Sequence, residues 1–438
     1  MCSTVSVRDA NFFITATPTV QLKFFNSMSL RLRLCRNVNA TGPVGRKDRL
    51  DNKIEGMNVM DFKFTEEQEL IRKNVREFCE KNVDPIAAEI DENSRHPAEL
   101  FEKLSHGGWM GIPIPQEYGG AGADFLTSII VVEELSRSCS STGFTVSTHA
   151  SIMCMMILLF GTEEQKKTYL TPMAEGKRLG AFCLTEPGAG TDVMAITTAA
   201  VLDGNDYVIN GTKTFTSNGP IAGTYIVFAW TDKSAGRKGM STFIVPRETP
   251  GLRVGEHFKK MGLRSSQTSE IIFKDCRVPK NNLLGKEGAG LPMAMAGFDG
   301  GRVGIAAQCI GILQAALDES VRYSKERIQF GSPIARNQAI AWMIADMATD
   351  LSAARFLTYH AAWLKDQKLP FSKEAAMAKL YASEAAMRHT IKAVQIHGGY
   401  GYCKGAKVER LMRDAKITEI YEGTSEAQRM VISGTVLR

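Results

Sequence analysis

Apolar residues recur at helical spacing in two long parts of the chain. In "FTEEQELIRKNVREFCEKNVDP", Leu70 and Val75 fall on one face, which is typical of an amphipathic helix. Thr65 and Gln68 predict a capping box at its start, and Pro85 predicts its end. Similar stretches follow, including "TSIIVVEELSRSC" and "STHASIMCMMILLFG". Late in the chain, "NQAIAWMIADMATDLSAARFLTYHAAWLKDQ" is long, Ala-rich and amphipathic, as in a helical bundle.

A different pattern separates these two helical parts. "DYVINGTKTFTSNG", "TYIVFAWTD" and "STFIVPRETP" are short and rich in β-branched and aromatic residues. Turns such as Asp203-Gly204 and Asn210-Gly211 divide them. Strands at this spacing, with no helices between them, predict a small antiparallel barrel or sandwich.

The pattern therefore predicts an α+β multidomain chain. We expect an N-terminal α-helical domain over residues 60–180, a middle β domain over 181–291 and a C-terminal four-helix bundle over 292–438. A doubly wound dinucleotide-binding fold is excluded because strands do not alternate with helices and no GxGxxG follows a strand.

Residues 1–59 read as an extension outside the fold. "SLRLRLCRNVNATGPVGRKDR" is rich in Arg and Ser and poor in acids, as mitochondrial presequences are. Alternatively, the start codon is assigned too early and translation begins near Met57 or Met60. The first interpretation places the protein in the mitochondrial matrix, and the second in a bacterial cytoplasm.

Composition and charge narrow the class of protein. Apolar residues make up 44% and charged residues 23%, which is ordinary for a globular chain. A net charge of +6 without charge runs does not indicate nucleic acid. The nine cysteines include no CxxC pair and are expected to be reduced thiols. No ligand cluster predicts a metal site, and no apolar run reaches the roughly 20 residues of a membrane span.

Two segments have the residue types of a ligand site. In "AFCLTEPGAGTDV", a Pro- and Gly-rich loop can direct backbone N–H groups at an acceptor, although it could equally be a turn between domains. In "KTFTSNG", Phe215 could stack on a flat ring and Ser217 could hydrogen-bond to it. By itself the second segment is more often simply the end of a strand.

Six ordered motifs give the chain a resemblance to the acyl-CoA dehydrogenase family. They are TEPGAGTD, KTFTSNG, "GLRSSQTSEIIFKDCRVPKNNLLG", "ERIQFGSPI", "QIHGGYGY" and "IYEGTSEAQ". The resemblance covers about residues 61–438. It implies a helical domain, a β domain and a four-helix bundle, which is also the order that the patterns predict. It further implies an FAD cofactor and a homotetramer whose cofactor sites are shared between subunits.

The resemblance implies the cofactor residues position by position. The loop and strand at the flavin ring correspond to Phe182, Cys183, Leu184, Thr185, Gly190, Thr191, Phe215, Thr216 and Ser217. Contacts to the FAD of a neighbouring subunit correspond to Arg327, Ile328, Gln329, Asn337 and Gln338. The pyrophosphate loop and the last FAD contacts correspond to Gln395, Ile396, His397, Gly398, Gly399, Thr424, Ser425 and Glu426.

The substrate side follows from the same resemblance. Asp299 and Arg302 correspond to helix positions that hold the CoA moiety, and Thr191 and Gly423 to the thioester end. Without the resemblance, Arg302 would read as a surface cation on a helix.

The implied reaction is α,β-dehydrogenation of an acyl-CoA thioester. A carboxylate removes the α-proton, and the β-hydrogen leaves as hydride to the flavin. The family places this base at one of two positions, which fall here on Gly301 and Glu422. Only Glu422 can ionise, so we expect Glu422 to be the base, with a pKa raised by an apolar pocket. Ser425 and Gln428 predict a capping box for the helix that follows.

Three alternatives share these residues. An acyl-CoA oxidase usually has an additional C-terminal helical domain, whereas this sequence ends at Arg438; electron-transferring flavoprotein is therefore the expected acceptor. An enoyl-CoA reductase would run the reaction in reverse, and a non-catalytic assembly factor would use the fold without the chemistry. The acyl chain, whether short and straight, branched or alicyclic, depends on residues such as those in the stretch 147–156.

Overall fold

The computed structural model describes residues 63–438, so the N-terminal extension and both interpretations of it lie outside the described residues. Helices, then strands, then helices follow one another along the described chain. The predicted fold class is therefore confirmed. The domain limits at residues 180 and 291 remain predictions.

The first helical part contains eight α-helices: α1 (Glu66–Asn82), α2 (Ala87–Glu92), α3 (Ala98–His106), α4 (Phe125–Ser138), α5 (Ser140–Thr148), α6 (Met155–Phe160), α7 (Glu163–Gln165) and α8 (Thr171–Ala174). Two π-helical turns, His149–Cys154 and Lys166–Leu170, interrupt the series. The predicted capping box is present, because Gln68 N–H donates to Thr65 Oγ1 at 3.1 Å and Thr65 N–H donates to Gln68 Oε1 at 3.1 Å. The side chains of Thr65 and Gln68 thus cap α1 at the position that the sequence predicts.

The middle part is an eight-stranded sheet. Its strands are β1 (Gly180–Cys183), β2 (Ala199–Asp203), β3 (Asp206–Ser217), β4 (Thr224–Trp230), β5 (Met240–Pro246), β6 (Leu252–His257), β7 (Thr268–Pro279) and β8 (Leu283–Leu284). The main order is β6-β7-β3-β2-β4-β5-β8, and β1 pairs with β4. The pairing is antiparallel except that β1 and β2 each pair in parallel with β4, so the expected antiparallel arrangement holds only in part.

The second helical part follows the sheet. It comprises α9 (Gly290–Glu326), a hairpin of β9 (Ile328–Gln329) and β10 (Ser332–Pro333), α10 (Gln338–Asp366), α11 (Ser372–His397), α12 (Gly399–Tyr402), α13 (Lys407–Lys416) and α14 (Ser425–Val436). Short 3-10 turns lie at Gln116–Tyr118, Val193–Ala195, Lys233–Lys238, Lys280–Asn282, Ile334–Arg336 and Ile417–Glu419.

Helix α9 forms the centre of the helical core and is buried along most of its length. Glycines let it approach the first helical part closely: a Cβ at Gly304 would lie 2.2 Å from Ser147 Oγ, and one at Gly311 would lie 2.5 Å from the Glu133 carbonyl oxygen. The backbone oxygen leaves no room for a methyl group at Gly311, whereas a methyl group at Gly304 would require the Ser147 hydroxyl to move. This close packing brings residues 147–156 beside the helix that carries Asp299.

Two helical segments are long and apolar enough to cross a membrane by length and composition alone, namely Ser140–Phe160 and Gly290–Glu326. Neither is an uninterrupted apolar run, because polar residues such as His149 and Arg302 lie within them. Their most apolar windows are 78% and 89% buried inside the protein. Core helices of this kind are apolar on several faces because other helices and the sheet cover them.

Candidate functional site

Glu422 lies on a left-handed turn immediately before α14. Its φ is +53° and that of Gly423 is +89°. A residue with a Cβ rarely adopts this conformation, which costs on the order of 1 kcal/mol or more. Two side chains hold the turn: Gln428 Nε2 donates to the Glu422 and Gly423 carbonyls at 3.1 and 2.8 Å, and Lys379 Nζ donates to the Gly423 carbonyl at 2.7 Å. The surrounding helices thus impose the backbone conformation that directs the carboxylate.

The Glu422 carboxylate points into the core between α9 and the π-helical turn His149–Cys154. A Cβ at Gly301 would lie 2.8 Å from Glu422 Oε2 and 2.8 Å from Ile152 Cδ1. Glu422 is half-buried as a residue, but its Oε2 atom is fully buried and has no hydrogen-bond partner among the described residues. Burial raises the pKa of Glu422 to about 7, against the opposing effect of Arg302 and Lys379. Such a group can accept and release a proton near neutral pH.

Arg302 and Asp299 form an ion pair on α9, with Nη1 and Oδ1 2.6 Å apart. Ser372 Oγ donates to the other oxygen of Asp299. Arg302 is 8% exposed, so it is not the surface cation that the helix pattern alone would suggest. Its Nε is buried and has no partner in the described part of the chain. The Arg302 guanidinium therefore keeps one N–H donor available near Glu422. Its positive charge lowers the pKa of Glu422.

The start of α14 corrects one prediction. Thr424, rather than Ser425, is the N-cap, and its Oγ1 accepts a hydrogen bond from the Ala427 N–H at 3.2 Å. The predicted Ser425 and Gln428 capping box is wrong because Gln428 instead turns back to the carbonyls of Glu422 and Gly423. Ser425 Oγ is buried without a partner among residues 63–438, and Glu426 is exposed.

The loop assigned to the flavin ring begins on β1. Cys183 and Leu184 are buried, while Thr185 is half-buried and Gly190 and Thr191 are exposed. The Phe182 ring packs against Phe298 of α9 at a centroid distance of 5.7 Å. This contact places the start of the loop beside the helix position that precedes Asp299.

A buried ion pair between Lys213 and Glu186 holds this loop in place. Lys213 Nζ lies 2.8 Å from Glu186 Oε1 and donates to the Leu184 carbonyl at 3.1 Å. Burial alone would raise the pKa of Glu186, but Lys213 and hydrogen bonds from Thr197 and Thr198 outweigh it and lower the pKa to about 2. The side chains are 0% and 4% exposed, so removal of one partner would leave a buried charge.

The β3 segment places an aromatic ring on the surface. Phe215 has a φ of +52°, lies where the β3–β7 register shifts, and is 64% exposed. Its ring stacks on Phe258 at 4.7 Å. Thr216 is buried and Ser217 is half-buried. The bulge therefore turns Phe215 outward, where a flat ligand could stack on it.

The residues assigned to a neighbouring subunit's cofactor lie together at one end of the helical bundle. Those on and beside the β9–β10 hairpin are all exposed: Arg327, Ile328, Gln329, Asn337 and Gln338. The Arg327 guanidinium carbon lies 5.7 Å from the centroid of the Tyr400 ring, so the hairpin adjoins residues 395–399, the glycine loop assigned to the pyrophosphate. A contact with a second subunit would cover these side chains.

The glycine loop ends α11. Gln395, Gly398 and Gly399 are exposed, whereas Ile396 and His397 are buried. Gly398 has a φ of +59°, and a Cβ at either glycine would meet no atom within 4 Å. His397 stacks on Tyr323 at 4.3 Å, so it supports the loop from inside. The bare outer side of the loop leaves space for a phosphate to approach the backbone.

These groups match the chemical needs of FAD. The outward ring of Phe215 suits a flavin, the glycine loop suits a pyrophosphate, and Arg327 supplies positive charge nearby. Among residues 63–438, no group of three or more His, Cys, Asp or Glu side chains could hold a metal ion.

Four side chains that the sequence did not single out contribute to the arrangement: Ile152, Glu186, Lys213 and Lys379. The two lysines lie on a strand and a helix where the local pattern does not distinguish a buried lysine from an exposed one. Glu186 lies inside the TEPGAGTD motif, whose proline and glycines carry the local signal. A capping signal drew attention to Gln428, but for a different role.

Family models match almost the whole described chain. The model "Acyl-CoA dehydrogenase, N-terminal domain" matches residues 65–177, the middle-domain model residues 181–276, and the C-terminal-domain model residues 288–437.

Individual relatives agree with these models. The chain is 54% identical to "Acyl-CoA dehydrogenase, short-chain specific" of Clostridium acetobutylicum, over 86% of this chain and 100% of that protein. It is 51% identical to "Acryloyl-CoA reductase (NADH)" of Anaerotignum propionicum, over 88% and 98%. A solved structure described as "Electron transferring flavoprotein of Acidaminococcus fermentans: Towards a mechanism of flavin-based electron bifurcation" superposes with a TM-score of 0.86 at 52% identity, covering 86% of this chain and 100% of that one.

Proposed function

Because the chain belongs to the acyl-CoA dehydrogenase family of FAD-dependent oxidoreductases, we propose that it dehydrogenates short-chain acyl-CoA thioesters with Glu422 as the base. The observation that carries the proposal is the Glu422 carboxylate, which is buried at Oε2, has no hydrogen-bond partner in the described chain, and has a pKa of about 7. Because its Oε2 atom accepts no hydrogen bond, the carboxylate is available to take a proton from a weakly acidic carbon.

The chain's own residues account for the proton transfer. Substrate enters with its CoA moiety near Asp299 and Arg302 and its thioester near Gly423. Glu422 takes the α-proton on its carboxylate. Within residues 63–438 the Glu422 backbone N–H donates to no other group, so it is free to stabilise the developing negative charge on the thioester oxygen.

FAD, when bound, supplies the acceptor for the β-hydride. We assign its binding to Phe215 and the loop 182–191 at the ring, and to the glycine loop and Arg327 at the phosphates. Arg327 would contact the cofactor of a neighbouring subunit. The exposure of the β9–β10 hairpin in the single chain supports this assignment.

The proposed preference for a short acyl chain is supported by the side chains that pack against α9 near Glu422. Ile152 and Met156 are each 1% exposed. A Cβ at Gly297 would lie 3.2 Å from Met156 Sδ, and one at Gly301 would lie 2.8 Å from Ile152 Cδ1. These contacts leave little depth between α9 and residues 152–156. The Clostridium relative, described as short-chain specific, agrees with a shallow pocket.

An anaerobic titration tests the proposal. Straight-chain thioesters of increasing length are added to the FAD-loaded protein, and bleaching of the flavin absorbance is followed, with branched and alicyclic thioesters as comparators. We expect the fastest bleaching with short straight chains and none with the Glu422→Gln variant. Rapid bleaching of that variant would refute the assignment of the base, and failure of every thioester to bleach the wild-type protein would favour a non-catalytic role.

Electron-transferring flavoprotein is the proposed acceptor, supported by the similarity to the Acidaminococcus structure described with that name. After reduction by substrate, the protein should be reoxidised faster by this flavoprotein than by oxygen. A preference for oxygen would instead indicate an oxidase.

Reduction of an enoyl-CoA is a second candidate, favoured by the 51% identity to acryloyl-CoA reductase. The same carboxylate would return the α-proton in that direction. Incubation with an enoyl-CoA and NADH, with and without the flavoprotein, distinguishes the two directions. Net formation of saturated thioester under these conditions would support reduction.

A further inference from the structure

Lys379 is a buried cation beside the Glu422 turn. It lies on α11 and is 0% exposed. Its Nζ donates to the Gly423 carbonyl at 2.7 Å but forms no ion pair with any residue that the structure describes. Burial of an ammonium group without a paired carboxylate is costly. The cost at this position indicates a local requirement for the charge.

Several ionisable groups face Lys379. Cys309 and Arg302 approach it from α9, and Glu419 and Glu422 approach it from the segment between α13 and α14. Burial lowers the pKa of Lys379 to about 8, so it is mainly protonated at neutral pH. The Tyr421 phenol, next to Glu422, is hydrogen-bonded to Gln308.

The two cations near Glu422 differ in their counter-ions. The charge of Arg302 is balanced by Asp299 at 2.6 Å, whereas Lys379 has only a carbonyl as its direct partner. Both cations lower the pKa of Glu422, Arg302 by more than Lys379, but only Lys379 also donates a hydrogen bond to the turn. The carbonyl that Lys379 holds also belongs to the residue after Glu422, so the same side chain restrains the strained turn.

We propose that Lys379 is a positioning residue for Glu422, because its ammonium holds the left-handed turn through the Gly423 carbonyl and stabilises the ionised carboxylate by its charge. This inference rests on the proposed role of Glu422 as the base. It assigns Lys379 no contact with the substrate or the flavin.

Lys379→Met tests both parts of this role. The substitution keeps length and apolar bulk but removes the charge and the hydrogen bond. We expect the acid limb of the pH profile of kcat/KM to move up by about one pH unit, the size typical for loss of a nearby opposite charge. Activity below the limb should fall about tenfold more than activity above it. An unmoved limb would overturn the proposal, even if the variant were less stable.

Two control variants separate charge from structure. Gln428→Leu removes the other donor to the Gly423 carbonyl without changing charge, and should lower kcat without moving the limb. Lys365→Met removes a second lysine whose pKa burial lowers to about 8, but which interacts with Asp366 and Asp299. It should leave the limb in place. A limb that moves equally in both lysine variants would count against a specific role for Lys379.

A further variant covers failure of Lys379→Met to fold. Lys379→Gln retains an N–H donor without the charge, and its limb should still move. Unfolding gives a readout independent of turnover: the stability gained at pH 8 from Glu422→Gln should be larger in a Lys379→Met or Lys379→Gln background than in wild type. An equal gain would overturn the proposal.

The two hypotheses fail in different ways. If Glu422→Gln retains turnover, the proposed function is wrong. If Glu422→Gln is inactive but the limb is unchanged in both Lys379 variants, only the role of Lys379 is wrong.

Discussion

Replacement of Glu422 by Gln should inactivate the protein and, above neutral pH, make it more stable. The carboxyl has a pKa of about 7 in the folded chain against an ordinary value of 4.5. An acid whose pKa is raised on folding favours the folded state when it is protonated and opposes it when it is ionised. Stability contributed by Glu422 is therefore lost as pH rises from about 4.5 to about 7. Glutamine cannot ionise and avoids this loss.

The magnitude follows from the two pKa values. Linkage gives a stability gain for Glu422→Gln of about 3 kcal/mol at pH 8 and under about 1 kcal/mol at pH 5. The desolvation cost of the amide reduces both values by a similar amount. The difference between the two pH values, about 2.5 kcal/mol, is therefore the robust quantity. For catalysis, loss of a general base typically costs about 10²–10⁴-fold in kcat.

Guanidinium chloride unfolding of the FAD-loaded protein at the two pH values, at matched protein and FAD concentrations, measures the difference. Glu384→Gln is a suitable control because it removes the carboxylate of a partly exposed pair with Arg429, 2.7 Å away. Such a pair contributes about 0–1 kcal/mol, so this control should show no gain at either pH. A gain for Glu422→Gln that is the same at pH 5 and pH 8 would refute the argument that Glu422 is buried with a raised pKa.

Three further substitutions test the site. Gly301→Ala places a methyl group 2.8 Å from Glu422 Oε2 and should lower kcat/KM at least about tenfold, because a small displacement of the base is costly. Lys213→Met leaves Glu186 as an unpaired buried charge and should cost about 3–5 kcal/mol of stability, together with weaker retention of FAD, measured by unfolding and by flavin release. Ile152→Ala should deepen the acyl pocket and shift the kcat/KM optimum towards longer straight chains.

Matched variants make these three outcomes interpretable. Gly434 is an exposed helical glycine with no atom within 4 Å of an added Cβ, so Gly434→Ala should stabilise α14 by about 0.5–1 kcal/mol without loss of activity. The double variant Lys213→Met/Glu186→Gln should recover part of the stability that Lys213→Met loses, because it also removes the unpaired buried charge of Glu186. An unchanged chain-length preference in Ile152→Ala would contradict the location of the pocket wall.

Local sequence was sufficient for the order of the elements. Helical periodicity after Thr65, alternating and β-branched residues in the middle segment and the Ala-rich pattern of the last third each depend on neighbours a few residues away. The capping box at Thr65 and Gln68 was predictable for the same reason. The resemblance to the family implied two positions for the base, and the sequence favours Glu422 over Gly301 because glycine has no group to ionise.

Only the tertiary structure decided the state of the groups around Glu422. The nearness of Gly301 and Ile152 to its carboxylate, and the burial of Lys379, arise from contacts between helices far apart in sequence. Local signals even misled at Gln428, whose amide holds the Glu422 turn and not a cap. A pKa depends on desolvation and on charges in space, so the pKa of Glu422 is set only once these helices pack together.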